Sequence, residues 1–238
     1  MSRLFLARLV PLLTACALVF LPTVYLPTPA DAADAWVVKA QRRLNALHCD
    51  AGPASGTVGP RTRSAVVRFE SRHGMAQTGR LSKRVRTRLY REDARRCDQR
   101  LVPKGSGTGR RVVLSQAQNW VWLVGPKGGV IAQGGVIDLP SELSKGLHAT
   151  GSYCGRAARI RHNTATSGRV WLDNFVRFAP CGIGFHRIPR YMSNGRQIHP
   201  DWYLGTNFTQ SHGCIRLSRA MSLRLWNFTA QRTRVRVV

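Results

Sequence analysis

The chain of 238 residues has room for a signal segment and two modest domains. Its formal net charge of +26 predicts attraction to polyanions, which include nucleic acid, anionic lipid and the phosphate polymers of a cell wall. The basic residues are scattered along the chain and no nucleic-acid-binding motif is present, so we expect no nucleic-acid partner.

Residues 1–32 have the pattern of a secretory signal peptide. Arg3 and Arg8 precede an apolar run over residues 9–26, and Ala30-Asp31-Ala32 then offers small residues at the two positions that a signal peptidase reads. We therefore predict cleavage after Ala32 and a secreted, cell-envelope location. The positive charge would then act outside the cytoplasm.

Two other interpretations of this segment remain open. The apolar run is long enough for an uncleaved membrane anchor, although Pro11 and Pro22 disfavour a regular spanning helix. The sequence Leu13-Thr14-Ala15-Cys16 also looks like a lipoprotein cleavage box, which would place a lipid on Cys16. Plain cleavage is favoured because apolar residues continue beyond Cys16, and we expect membrane contact only in the other two cases.

Residues 35–98 predict a small three-helix bundle. The first helix has apolar residues at intervals of three or four positions: Val37, Ala40, Leu44 and Leu47. Pro60 is suited to the first turn of the second helix, Gly74 to its end and Ser82 to the N-cap of the third. Residues 99–109 are rich in glycine and predict a linker.

Residues 110–238 predict a mostly β domain. Short runs of apolar and β-branched residues predict strands over residues 111–115, 120–124, 130–137 and 170–178, with a closing alternation around Val235 and Val237. One helix is expected over residues 218–228, with Ser218 as its N-cap.

A nucleophile motif lies in this second domain, in the sequence Ser211-His212-Gly213-Cys214-Ile215-Arg216-Leu217. A second histidine, His186, lies upstream in Gly184-Phe185-His186. A thiol flanked by histidines and preceded by glycine has what nucleophilic chemistry needs, namely a base for the thiol proton and compact backbone for an oxyanion. The residues alone leave catalytic, structural and metal-binding roles open.

This motif resembles the active-site signature of the L,D-transpeptidase (YkuD-like) catalytic domain. The resemblance implies a β-sandwich-like fold for residues 110–238, with Cys214 as the nucleophile, His186 as the base and His212 orienting the nucleophile loop. It also implies that the backbone N–H groups of His212, Gly213 and Cys214 meet the oxyanion, and that the carbonyl of Arg187 orients the base. The expected reaction joins the third residues of two peptidoglycan stem peptides (a 3-3 crosslink) through a cysteine thioester, without a cofactor.

Three further residues near the motif have less definite roles. We expect Ser211 to hydrogen bond within the loop. Arg216 is expected to stabilise the loop, support the thiolate or meet a substrate carboxylate. His199 lies between His186 and Cys214 and is an alternative base, although Ile198-His199-Pro200 matches the motif context poorly.

The helical segment resembles the three-helix peptidoglycan-binding domain. The resemblance is carried by Gln41-Arg42-Arg43-Leu44-Asn45-Ala46-Leu47, Ser55-Gly56-Thr57-Val58-Gly59-Pro60-Arg61-Thr62 and Ala65-Val66-Val67-Arg68-Phe69-Glu70. It implies that peptidoglycan glycan and stem peptides are the partners, with anionic wall polymers as a further candidate.

The cysteine count fits an oxidising compartment. Without Cys16 and the proposed nucleophile, four cysteines remain, and four allow three pairings. The pairing that keeps each bridge within one domain joins Cys49 to Cys97 and Cys154 to Cys181. In the loop-entropy model each bridge would contribute about 3 to 4 kcal/mol.

Three alternative functions remain open. His186, His199, His212 and Cys214 have the chemistry of zinc ligands, but no second cysteine or acidic ligand accompanies them at a standard spacing. The same thiol site would make an L,D-carboxypeptidase if water resolved the thioester. A basic cell-wall-binding protein without catalysis is the third alternative.

Overall fold

The computed structural model describes residues 34–238. The predicted signal peptide, its cleavage after Ala32 and the lipid alternative at Cys16 lie outside the described residues. Within residues 34–238, no helix is both long and apolar enough to cross a bilayer.

Three helices form the N-terminal segment: α1 (Ala35–Ala46), α2 (Pro60–Arg72) and α3 (Lys83–Leu89). Asp34 caps α1 by accepting hydrogen bonds from the N–H groups of Trp36 and Val37, and Ser82 caps α3 in the same way. The apolar stripe predicted for α1 packs against apolar residues of α2 and α3, among them Ala65, Val66, Phe69, Val85 and Leu89.

Residues 34–238 contain two disulfides, and they join the pairs that the sequence predicts. Cys49 pairs with Cys97 beside the core of the helical segment, and Cys154 pairs with Cys181 in the β-rich segment. Cys214 is the free cysteine of residues 34–238. Its thiol is therefore available for chemistry.

Two mixed β-sheets and one α-helix form the rest of the described residues, with three short 3₁₀ helices at Pro140–Glu142, Pro180–Gly182 and Asp201–Tyr203. The first sheet has the strand order β3-β2-β1-β10-β4, from β1 (Arg111–Ser115), β2 (Trp120–Val124), β3 (Val130–Gly135), β4 (Gly146–Ala149) and β10 (Arg234–Val237). The second has the order β5-β6-β7-β9, with β8 paired to β6, from β5 (Arg159–Thr164), β6 (Val170–Arg177), β7 (Gly184–Arg187), β8 (Arg190–Tyr191) and β9 (Ile215–Leu217). Helix α4 spans Arg219–Phe228, with Ser218 as its N-cap.

The main core lies between the sheets and α4. Both sheets contribute to it, for example through Val112 and Val235 from the first and Phe185 and Ile215 from the second. The opposite face of the first sheet is also covered, because Val113 and Trp122 form a smaller cluster with Val102. The segment predicted as a linker therefore packs on the sheet. This mostly β domain behind a three-helix segment is the fold class that the sequence predicts.

The sequence does not predict several of the short strands. Strands β7 and β9 have four and three residues, too few for a visible alternation, and β5 is polar and largely exposed. The predicted strand over residues 130–137 ends at Gly135. A side chain on Gly135 would lie 2.6 Å from the backbone nitrogen of Gly205, so only glycine permits this contact.

A buried arginine links the helical segment to the β-rich segment. The guanidinium of Arg68, on α2, donates hydrogen bonds to four backbone carbonyls: those of Cys49, Asp50, Trp202 and Leu204. The first two acceptors lie in the helical segment. The last two lie in the loop of residues 200–206, which precedes the nucleophile motif along the chain.

Candidate active site

The pairing of β7 with β9 brings the candidate nucleophile and base together. These strands are parallel, with Phe185 opposite Ile215 and His186 opposite Arg216. Residues opposite each other, and residues two apart on one strand, point to the same face of a sheet. His186 and Arg216 therefore share one face, while Phe185 and Ile215 point into the core on the other. Cys214 lies directly before β9, and its thiol hydrogen bonds with the backbone of Gly184 at the start of β7.

The Cys214 thiol is mostly buried beside a turn held by a disulfide. Its Sγ donates to the carbonyl of Gly182 at 3.6 Å, and Gly182 follows the bridged Cys181. Burial raises the pKa of the Cys214 thiol. A hydrogen bond with the Gly184 backbone and the charges of Arg177 and Arg216 oppose this effect without overcoming it. At neutral pH the resting sulfur is thus protonated.

His186 is buried and has a fixed tautomer. Its Nδ1 lies 2.5 Å from the carbonyl oxygen of Arg187, which can only accept, so Nδ1 carries the proton and Nε2 is free to take one. This is the carbonyl contact expected from the family resemblance. Burial lowers the pKa of His186 to about 4, with a smaller contribution from the charge of Arg216. The imidazole is neutral at neutral pH.

These two pKa shifts predict how Cys214 alkylation depends on pH. A raised thiol pKa beside a neutral imidazole means that thiolate forms only as pH rises. We expect the rate of alkylation by iodoacetamide to increase about tenfold per pH unit between about pH 6 and about pH 9. A rate that stays level down to about pH 6 would instead indicate a thiolate–imidazolium pair. Cys214→Ala is the control, since the other described cysteines are in disulfides.

The loop before Cys214 is held by short-range hydrogen bonds. Ser211 Oγ accepts from the N–H of Gly213 at 3.0 Å, and the N–H of Ser211 donates to the carbonyl of Asp138. Gly213 has φ of +106°, a conformation that other residues rarely adopt. Because the N–H of Gly213 already donates to Ser211 Oγ, it can donate to an oxyanion only after that hydrogen bond breaks. His212 is exposed.

Arg216 is a buried cation at the centre of the site. Its backbone exchanges hydrogen bonds with Ile137 at 2.9 and 3.3 Å, which fixes the start of β9. Burial lowers the pKa of Arg216, and the charge of Cys214 opposes this change. No salt bridge within residues 34–238 involves its guanidinium. Arg216 therefore adds uncompensated positive charge beside the thiol.

His199, the alternative base, has a similar hydrogen bond but a different location. Its Nδ1 donates to the carbonyl of Pro200 at 3.0 Å, and burial lowers its pKa. It lies after β8, outside the β7–β9 pair that carries His186 and Arg216. Its buried Nε2 has no partner within the described part of the chain.

Sequence reasoning missed two charged residues of this neighbourhood. Arg177, at the end of β6, lowers the pKa of the Cys214 thiol by its charge. Asp138 is buried, and burial raises the pKa of its carboxyl to about 6. Both lie far from the motif in sequence, and no local pattern marks them. Only the packing of β6 and of the segment after β3 brings them near Cys214 and Ser211.

The zinc alternative is not supported by the arrangement of ligands. Across residues 34–238, no three His, Cys, Asp or Glu side chains form a group suited to a metal ion. The set of His186, His199, His212 and Cys214 is therefore not assembled as a ligand cluster.

Comparison with known families identifies both domains. Residues 34–89 match a putative peptidoglycan binding domain, and residues 143–237 match the L,D-transpeptidase catalytic domain. The chain carries an L,D-transpeptidase catalytic domain behind an N-terminal peptidoglycan-binding domain. The two domains and the disulfides indicate interaction with peptidoglycan and an extracytoplasmic place in the cell envelope.

The solved structures that match this chain include two L,D-transpeptidases. One is the L,D-transpeptidase (residues 123-326) from Xylanimonas cellulosilytica DSM 15894, which is 19% identical in sequence, with a TM-score of 0.49; the match covers 85% of this chain and 93% of that chain. The other is the L,D-transpeptidase (Yku) from Stackebrandtia nassauensis, which is also 19% identical, with a TM-score of 0.43; the match covers 87% of this chain and 92% of that chain. Comparison with curated proteins gives no match.

Proposed function

We propose that this protein is a secreted peptidoglycan L,D-transpeptidase that forms 3-3 crosslinks through a thioester on Cys214. The observation that carries the proposal is the position of the free thiol of Cys214, which lies directly before β9 and hydrogen bonds with the backbone of Gly184, two residues before His186 on the paired strand β7. In this proposal residues 110–238 perform the chemistry, residues 35–98 hold the substrate glycan and residues 99–109 connect them.

The first half of the proposed reaction acylates Cys214. The sulfur attacks the carbonyl of the third stem residue while Nε2 of His186 takes the thiol proton. The new carbon–sulfur bond replaces the bond to the terminal D-alanine, whose amine leaves with the proton from His186. Since the thiol pKa is raised and the imidazole pKa is lowered, the proton moves during the attack and not before it.

The second half transfers the acyl group to an acceptor. An amine of a neighbouring stem peptide attacks the thioester, gives a proton to His186 and forms the new peptide bond. The proton then returns to sulfur and restores the resting pair. If water takes the place of the amine, the same residues give an L,D-carboxypeptidase.

Arg216 and Arg177 are proposed to stabilise the negative charge that develops during both halves. Both guanidinium groups act on the thiolate form of Cys214 through their charge. In a water-poor site such fixed charges favour the transition state over the neutral ground state. A substrate carboxylate is a second possible partner for Arg216.

Mass spectrometry of the protein with a disaccharide tetrapeptide tests this function. We expect the wild type to show a thioester adduct and a crosslinked dimer, and Cys214→Ala to show neither. An adduct that resolves only to tripeptide would favour the carboxypeptidase. If the wild type forms no adduct, the catalytic proposal is wrong and a basic cell-wall-binding protein remains.

A further inference from the structure

A positively charged cavity lies on the outer face of the first sheet, whereas Cys214 adjoins the second sheet. It has a volume of about 310 Å³ and lies between strands β1, β4 and β10 and the glycine-rich segment of residues 105–108. Three arginines line it, namely Arg111, Arg234 and Arg236, together with Leu147. The catalytic chemistry proposed above uses none of these residues.

The strand register explains why three cations meet there. Arg111 lies opposite Arg234 in the parallel pair of β1 and β10, and Arg236 is two residues further along β10. The alternate residues of these strands, such as Val112 and Val235, point into the core. The arginines must therefore project from the opposite face.

The described partners of these arginines carry no charge. Arg111 donates to the carbonyl of Gly109 at 2.7 Å and to Ser106 Oγ at 3.3 Å, and Arg234 donates to the carbonyl of Thr108 at 3.0 Å. None of the salt bridges within residues 34–238 involves Arg111, Arg234 or Arg236.

Two donors in the cluster are also unused. The Nε atoms of Arg111 and Arg236 are buried and have no hydrogen-bond partner in the described part of the chain. Arg111 as a residue is only 7% exposed. Burial of a charged donor without a partner is costly, which is a reason to expect an acceptor there.

The segment that covers the cavity has little side-chain bulk. Gly105, Gly107 and Gly109 have φ of +73°, +87° and +71°, so the chain turns closely over the arginines. A side chain on Gly109 would lie 3.0 Å from Nη2 of Arg234.

We propose that this cavity binds a phosphate group. Three guanidinium groups without a carboxylate suit an anionic, tetrahedral phosphate, whose oxygens can accept several hydrogen bonds at once. The phosphate can belong to free inorganic phosphate or to a phosphodiester such as that of an anionic polymer or lipid headgroup. The proposal does not depend on the chemistry at Cys214.

Titration calorimetry of the full chain at constant ionic strength tests the proposal, with inorganic phosphate and glycerophosphoglycerol as separate probes. We expect phosphate to bind the wild type and Arg236→Gln to weaken it at least about tenfold, the effect of one lost charged hydrogen bond. The matched control is Arg232→Gln, an exposed change of the same charge outside the cavity, with an effect below about twofold. Tighter binding of the diester than of phosphate would identify a phosphodiester as the ligand, and binding of phosphate alone would identify the free ion.

A second pair of variants tests the same site without removing an arginine. Leu147 is 67% exposed at the cavity, so Leu147→Glu should fold and place a carboxylate against the arginines. We expect it to abolish phosphate binding, whereas Ile131→Glu, at a 58% exposed site of the same sheet, should not. The proposal is wrong if the wild type does not bind phosphate, or if the variants and their controls lose the same phosphate affinity. The arginines would then serve only to hold residues 105–109 on the sheet by hydrogen bonds.

Discussion

Replacing His186 by glutamine is expected to lower the rate of Cys214 acylation by about 10²- to 10⁴-fold, the usual contribution of a general base. The thiol is protonated at neutral pH because burial raises its pKa, so it depends on a neighbouring acceptor for its proton. Glutamine cannot take that proton. Stopped-flow or mass-spectrometric acylation with a tetrapeptide substrate measures the effect.

The matched control is His199→Gln. His199 has the same type of carbonyl contact but lies outside the β7–β9 pair. We expect this change to lower acylation less than about tenfold. A larger loss in His199→Gln than in His186→Gln would assign the base to His199. Circular dichroism of both variants separates loss of the base from loss of the fold.

Replacing Arg68 by alanine is expected to reduce the free energy of unfolding by about 3 to 5 kcal/mol, because a buried hydrogen-bonding group is removed and its partners stay buried. Arg68 donates to carbonyls in both segments, including those of Trp202 and Leu204. Burial lowers its pKa to about 10, which still leaves it charged at neutral pH. Urea unfolding followed by fluorescence measures the loss.

Arg63→Ala is the control for this change, since Arg63 lies on the same helix and is exposed. We expect it to alter the free energy of unfolding by less than about 0.5 kcal/mol. The Arg68 variant should also acylate more slowly while folded, because residues 200–206 lead directly into the nucleophile loop. A loss below about 1 kcal/mol for Arg68→Ala would contradict the structural role given to this arginine.

The sequence by itself determined the local features of this protein. The helices follow from the apolar spacing of α1, from Pro60 and from the cap at Ser82, which act over one or two turns. The longer strands follow from alternation, as at Val112 and Val235. The nucleophile motif was visible because its residues are contiguous.

The limits of the prediction have physical causes. Strands β7 and β9 are too short to show a period, although their pairing sets His186 opposite Arg216, two residues after Cys214. Strand β3 ends at Gly135, which lies against the backbone of Gly205, a partner that no local pattern reveals. The glycine-rich segment of residues 99–109 predicted a linker, yet Val102 and Ser106 pack on the first sheet.

Only the tertiary structure decided which charges meet. Arg177 lies near the thiol because β6 pairs with β7. Arg68 joins α2 to the loop before Cys214. Arg111 lies opposite Arg234 in a parallel strand pair, although the two are more than a hundred residues apart in sequence. Sequence patterns report the faces and ends of single elements, because those depend on neighbours along the chain. Strand pairing depends instead on the total burial of the fold, so the contacts that set the chemistry appear only once the sheets are assembled.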